Sequence, residues 1–386
     1  MSRVLEVLKD LVSLESVNVN LPGAVQGERE VIRYVDDFCR RLGLEPVDGG
    51  SLPDGRRNAV WRLNVPGATQ TLMFEAHMDT VTLANMPDGA KPRVADGRLY
   101  GRGACDTKGS LAGMLCAVEE LVRAPQGLSA NILIGGMLEE ETGLVGAGLA
   151  MEAGLRPDGI VVGEPTMLAP VIAHKGVARF WIKTRGRSAH TSQPQHGESA
   201  ILQMLAVVRH LEEQVAPAFA RRHHPLVGSP VQTVAMIEGG FQFNFVPEAC
   251  RIAIDRRTLP TEDPAAVLEE YRQALADLSA AQPGIQAEID QVVSLVWGLD
   301  SPPEAPVVQA ALAAVQGVMG RPATPVGAPY GTNGSKYWGI ARIPCVVLGP
   351  GDIAQAHTEN EWIALEQLEA SVPVYTALAR QFGKKG

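Results

Sequence analysis

The sequence predicts an α/β protein interrupted by a smaller α+β insert, and three observations carry that expectation. The chain has 386 residues, more than one ordinary core fills, so two domains are expected. Over its first part, short apolar strand-like runs alternate with runs of helical period, the pattern of a sheet covered by helices on both faces. From about residue 175 the texture changes to that of a compact α+β unit, and around Pro302, Pro303 and Pro306 the first texture resumes. The expected division is a catalytic domain built from 1–174 and 295–386, with 175–294 inserted as a second domain.

The elements follow in order. Apolar positions at helical spacing mark 4–14 and 28–42, the second run (Val31, Ile32, Val35, Phe38, Cys39, Leu42) stopping at the C-cap residue Gly43. Strands are expected at 58–64 and 71–76, a helix at 108–123, a strand at 130–138, a short helix at 144–153 and a strand at 159–163. The insert reads as a strand Val177 to Thr184, a helix 199–219, strands near 231–237 and 249–256, a helix 264–280 and a strand near 285–294. The strand Cys345–Leu348 and a closing helix over 364–382 complete the chain.

Composition narrows the function. The formal net charge is -9, which argues against nucleic acid as a partner, because phosphate binding needs a clustered basic face. The basic stretch Arg221 to His224 is short and reads as a solvated loop. No apolar run reaches the roughly 18 residues of a membrane helix. The N-terminus carries charge inside its apolar stretch and reads as an amphipathic helix rather than a signal peptide. Five scattered cysteines, Cys39, Cys105, Cys116, Cys250 and Cys345, form no CxxC and fit free thiols in a reducing cytoplasm.

Chemistry-bearing residues gather where apolar strands end. Met73 to Ala76 runs into His77-Met78-Asp79. Positions i and i+2 of a strand face the same way, so His77 could bind a metal while Asp79 holds its other ring nitrogen. A structural histidine fits that pair equally well. Asp106 sits among the glycines of residues 101–109, just ahead of a helix; a helix N-cap would explain the acid but not the glycines. Glu139, Glu140 and Glu141 close an apolar strand. Three adjacent acids repel, and a metal is the natural offset, although an exposed acidic loop is the plainer alternative. Glu164 ends the run Ile160 to Gly163, and His357 lies in a loop past the strand Val346 to Leu348. In open α/β sheets, sites form outside the strand ends, so five segments agreeing says more than any one. The glycines Gly143, Gly146 and Gly148 follow a strand, but their order is not GxGxxG, no GK[ST] is present, and the neighbouring acids would repel phosphate.

Taken together, HMD (77–79), GACDTKG (103–109), EEETG (139–143), GEPT (163–166), HKG (174–176), AHTSQP (189–194), NFVP with Cys250 (244–250), DRR (255–257) and GPG followed by AHTENE (349–361) resemble the M20 metallopeptidase family. That family includes acetylornithine deacetylases, succinyl-diaminopimelate desuccinylases, aminoacylases and glutamate carboxypeptidases. The resemblance implies a fold like that of two-zinc exopeptidases, an α/β catalytic domain with an inserted dimerisation or lid domain. It implies that His77 and Glu164 bind one ion, Glu141 and His357 a second, and Asp106 both, with a cis peptide expected at Asp106–Thr107. Glu140 would be the general base and Asp79 would orient His77. Glu139 stands where the family usually has Asp. An acid at Glu164, rather than a thiol, suits Zn²⁺, with Co²⁺ or Mn²⁺ as alternatives. Asn244 and Arg257 resemble residues that grip the substrate carboxylate, and Lys175 is a further candidate; an ion pair beside Asp255 is the plain alternative for Arg257. The resemblance also implies a homodimer in which His190 reaches the partner's site and donates to the oxyanion.

The expected activity is hydrolysis of the amide of an N-acyl-L-amino acid, the alternative being a dipeptidase or carboxypeptidase on short peptides. A metal-binding protein without activity would have lost Glu140 or a ligand, and none is missing. The departures lie near the substrate. The loop Tyr330 to Lys336 lacks the acid that many members carry, Lys336 stands where desuccinylases commonly have Arg, and 195–200 lacks the usual Asn before Ala200.

Overall fold

The computed structural model describes residues 2–384, which form two compact units. The first comprises the residues up to Ile172, Asp300–Gly327 and those from Thr332 on; the second comprises Ala173–Leu299 with Ala328–Gly331.

The first unit is built on a mixed sheet whose centre is four parallel strands, Ala130–Met137, Gln70–His77, Gly159–Val162 and Cys345–Val347, side by side in that order. All four are buried almost throughout, the signature of strands covered on both faces. Ala59–Leu63 and Glu45–Val47 extend one edge antiparallel. Helix Lys108–Arg123 is buried nearly all round, as a helix packed between a sheet and other helices must be. At Gly113 an added Cβ would meet Ser371 Oγ at 2.3 Å, so only glycine lets the helix Leu365–Gln381 approach this closely. The glycine-rich stretch 143–148 has a packing role as well: a Cβ at Gly146 would lie 2.4 Å from the Leu138 nitrogen. A small antiparallel sheet of Arg93–Ala95, Arg98–Tyr100 and Trp362–Ala364, unread from the sequence, flanks the segment carrying Asp106. The helix Gly334–Ala341 was also unread.

The second unit is a four-stranded antiparallel sheet in the order Val231–Gly239, Ala249–Thr258, Gly176–Arg185, Ala287–Val296. One face buries Phe180, Ile182, Ile252 and Ile254 against helices Ala200–His210 and Pro264–Ala281 through Met204, Tyr271 and Leu275. The helix read at 199–219 runs on through a π-turn, Leu211–Val215, into Ala216–Ala220. No helix among the described residues is long and apolar enough to cross a membrane.

Candidate metal centre

His77 is the last residue of the central strand Gln70–His77 and is fully buried. Its Nε2 lies 3.0 Å from Asp106 Oδ1 and 4.0 Å from Glu164 Oε1. The other carboxylate oxygen of Asp106 lies 3.2 Å from His357 Nε2, and Glu141 Oε2 is also 3.2 Å from that nitrogen. Asp106 thus stands between two imidazoles with one oxygen toward each, Glu164 on the His77 side and Glu141 on the His357 side. His77, Asp106 and Glu141 offer ligand atoms that all lie within 4.8 Å of one another. The Asp106–Thr107 peptide is cis.

The residues behind these groups fix their aim. His77 Nδ1 lies 3.0 Å from the backbone carbonyl of Asp79, with the carboxylate Oδ1 at 3.5 Å. The main chain therefore makes the closer contact with the ring, because the chain leaves the strand at His77 and the alternation of faces ends there. The Asp79 carboxylate instead accepts the N–H groups of Glu140 at 3.0 Å and Glu141 at 3.1 Å, and Nδ2 of Asn18 at 2.8 Å. Glu139 faces away from the cluster. It pairs with the buried Arg56, accepts from Asn20 at 3.1 Å, and donates its own N–H to Glu28 at 3.0 Å. The run of three acids is thus divided, one offset by an arginine and two turned into the cluster. Arg56, Glu28, Asn18 and Asn20 were not singled out from the sequence, and no local pattern marks them.

The electrostatics show what the cluster lacks. Burial raises Glu164 well above the ordinary carboxylate value, with Asp106 adding to the rise while His77 opposes it. Burial raises Glu140 likewise, opposed by His77 and reinforced by Glu141. Glu141 is raised by burial and by the charge of Asp106. Burial disfavours a charged His77, but hydrogen bonds to Asp106 and Asp79 outweigh it and hold the ring well above its ordinary value. His357 is pushed up to about 10 by its bonds to Asp106 and Glu141. Asp106, bonded to both imidazoles, is held well below the usual carboxylate range despite its burial, but three glutamates that resist ionising and two imidazoles that hold protons mark a site short of positive charge. Oxygen and imidazole donors with that deficit fit divalent cations of the zinc type.

Beside the cluster, Glu75 is fully buried on the same strand as His77 and is pushed up to about 8 by burial. It accepts from Asn333 Nδ2 at 3.2 Å. Asn333 lies in the loop that lacks an acid, and its amide meets this carboxylate of the strand Gln70–His77.

The remaining predicted residues belong to the second unit, where they fall into two separate groups, Asn244 with His190 and Arg257 with Lys175. Asn244 and His190 are exposed neighbours: His190 pairs with Phe245 in a β-bridge, and Thr191 N–H donates to the Asn244 carbonyl at 3.2 Å. His190 Nδ1 is 2.7 Å from Ser192 Oγ. Both lie beyond the Arg185 end of strand Gly176–Arg185, whereas Arg257 pairs with Val177 at its other end. Ten residues of strand separate the two ends, roughly 30 Å. Arg257 Nε is bonded to Asp255 at 2.8 Å, and Lys175 Nζ donates to the Ser229 carbonyl at 2.5 Å.

The profile of peptidase family M20/M25/M40 matches residues 73–381. The chain is 34% identical to acetylornithine deacetylase of Myxococcus xanthus over 87% of this chain and 83% of that protein. It is 29% identical to acetylornithine deacetylase of Edwardsiella ictaluri over 96% of each. Among solved structures, aminopeptidase PepT from Bacillus cereus superposes with a TM-score of 0.80 at 23% identity, covering 99% of this chain and 98% of that one. The metallo-carboxypeptidase Sso-CP2 from Sulfolobus solfataricus gives 0.77 at 18%, covering 99% and 100%.

Proposed function

Since the chain belongs to peptidase family M20/M25/M40 and is an amide-bond hydrolase, we propose that it removes the acyl group from an N-acyl-L-amino acid, working with two divalent ions per chain. The observation that carries this reading is Asp106, one carboxylate oxygen toward His77 and the other toward His357. In this reading His77, Asp106 and Glu164 would hold one ion, and Asp106, Glu141 and His357 the other; zinc suits the donors best, with cobalt or manganese as alternatives. When bound, such a pair of ions lowers the pKa of a water and polarises the scissile carbonyl.

The chain's own residues do the rest. Glu140, beside the cluster and partly open to solvent, takes a proton from the attacking water and delivers it to the leaving nitrogen. Asp79 holds the N–H groups of Glu140 and Glu141 and so sets where both carboxylates point. Arg257 and Lys175 bind the substrate carboxylate, Arg257 by exchanging Asp255 for it, and Asn244, the neighbour of His190, joins them from the partner chain. His190 donates a hydrogen bond to the oxyanion as it forms.

His190 does so from a partner chain. The separation of His190 from Arg257 along the insert's sheet supports this, because a two-fold pair can bring opposite ends of two inserts together. The insert also exposes Leu202, Leu205, Met236, Ile237, Phe241 (90% exposed) and Phe243 (103% exposed), an apolar surface of the kind that marks an interface. We read the enzyme as a homodimer in a reducing cytoplasm, in keeping with five free, buried cysteines.

The names of the curated relatives favour a deacylase; a dipeptidase or carboxypeptidase would use the same groups. A screen of N-acetyl-, N-succinyl- and N-formyl-amino acids against a dipeptide panel, with Zn²⁺ or Co²⁺ added, decides between them. Turnover confined to dipeptides would overturn the deacylase reading.

A further inference from the structure

Behind Asp106 and His357 lies a buried ion pair that the proposed chemistry does not use. Arg102 Nη1 donates to Glu361 Oε2 at 2.8 Å, with each side chain 1% exposed. Each partner also makes a second set of bonds. Glu361 Oε1 accepts the backbone N–H of Cys105 at 2.9 Å and of Asp106 at 3.0 Å. Arg102 Nη2 donates to the carbonyl of Thr358 at 3.1 Å and to Asn85 Oδ1 at 2.8 Å. Asn85 Nδ2 in turn donates to the carbonyl of His357 at 3.4 Å. The segment carrying Asp106 is thereby tied, through one guanidinium and one carboxylate, to the loop carrying His357.

That loop needs a restraint from outside. His357 lies in no strand or helix, its side chain is 53% exposed, and its φ is 61°. The left-handed region is costly for a residue other than glycine and persists only where the surroundings enforce it. Here the surroundings are Arg102 and Asn85, bonded to two successive carbonyls. Stability alone is a poor reason to bury the pair, since an apolar replacement of similar volume often serves a fold as well. A fork reaching an acid on one side and a loop carbonyl on the other is geometry that only arginine supplies.

We propose that Arg102 and Glu361, assisted by Asn85, are positioning residues that set the gap between Asp106 and His357 and thereby the affinity for the ion on the His357 side. The inference rests on the two-ion reading. Glu361→Gln keeps an oxygen for the Cys105 and Asp106 amides but loses the charge that anchors Arg102. Arg102→Lys keeps the charge but cannot reach both targets. Loss of a residue that orients a metal ligand typically weakens metal affinity about 10–100-fold. Asn85 is exposed, so Asn85→Ala tests the same link without risk to folding, with an expected loss of roughly fivefold, one modest hydrogen bond.

The experiment titrates Zn²⁺ into metal-stripped full-length protein by calorimetry and records the melting temperature of the stripped form. His357→Ala and Glu164→Ala assign the two binding events. The expected result is that Glu361→Gln, Arg102→Lys and Asn85→Ala weaken the event that His357→Ala removes and leave the other within a few-fold. Equal weakening of both events, or a lower melting temperature with both affinities unchanged, would make the network a prop of the fold and overturn the inference. If His357→Ala and Glu164→Ala do not each remove one event, the two-ion reading itself fails and takes the inference with it.

Discussion

Replacing Asp79 by asparagine tests how the cluster is aimed. The change is nearly isosteric, so it leaves no cavity. In the native site both carboxylate oxygens are committed, Oδ1 to Glu140 N–H at 3.0 Å, Oδ2 to Glu141 N–H at 3.1 Å and to Asn18 Nδ2 at 2.8 Å. Asn18 cannot turn round to help, because its own oxygen already accepts from Asn20 N–H at 3.0 Å and from Thr142 at 3.2 Å. Whichever way the new amide faces, its NH₂ meets at least one N–H donor. One charge-assisted hydrogen bond, about 1.5–3 kcal/mol, is lost outright and the others weaken. A total near 3 kcal/mol, felt where Glu140 must meet the water, corresponds to about 10²-fold in rate. The assay is kcat on the best substrate from the screen, with metal content measured on the same sample. A variant with full metal content and kcat within threefold of wild type would refute the reasoning.

Glu140→Gln should lower turnover by about 10²–10⁴-fold while metal content and melting temperature stay near wild type, since glutamine keeps the shape but cannot take the proton; a few-fold effect would remove Glu140 from the role of base. Metal analysis should give close to two ions per chain, falling in His77→Ala and in His357→Ala, and full occupancy in both variants would contradict the ligand set. His190→Ala chains mixed with Glu140→Gln chains under exchange should recover about a quarter of wild-type activity, because half the random dimers carry one intact site; no recovery despite demonstrated exchange would confine His190 to its own chain. His174, fully buried, is depressed from 6.5 to about 4 by burial. Between those values the unfolded chain takes a proton that the native chain refuses, so stability is full above about pH 6.5 and falls by about 3 kcal/mol toward pH 4. Denaturant unfolding at pH 7, 6 and 5 should show a shallower acid slope for His174→Gln than for wild type, and parallel slopes would refute this.

What the sequence makes legible follows from range. Strand ends can be read because an apolar run stops at a charged residue, which is how His77, Glu141 and Glu164 stand out. Asp106 stands out because glycines crowd it. Each signal is local. The partners that aim these groups come from far along the chain: Arg56 meets Glu139 across 83 positions, Asn333 meets Glu75 across 258, and Arg102 meets Glu361 across 259. No periodicity links such pairs, and only the packed fold brings them together. The three adjacent glutamates called for one positive offset, and the fold divides them between an arginine and the cluster. Alternation of faces placed the Asp79 side chain against His77, yet the strand ends at His77, so the carbonyl makes the closer contact. The hairpin of Arg93–Ala95 and Arg98–Tyr100 has strands of three residues each, too short for a period to register.

The account's central claim is that this constellation cleaves amide bonds only with its divalent ions in place. The most direct measurement is release of free amino acid from an N-acyl-L-amino acid by the purified chain, as isolated, after chelation, and after Zn²⁺ or Co²⁺ is restored. The account predicts release that disappears on chelation and returns with the metal. Release that persists undiminished in chelated protein containing no metal would contradict it.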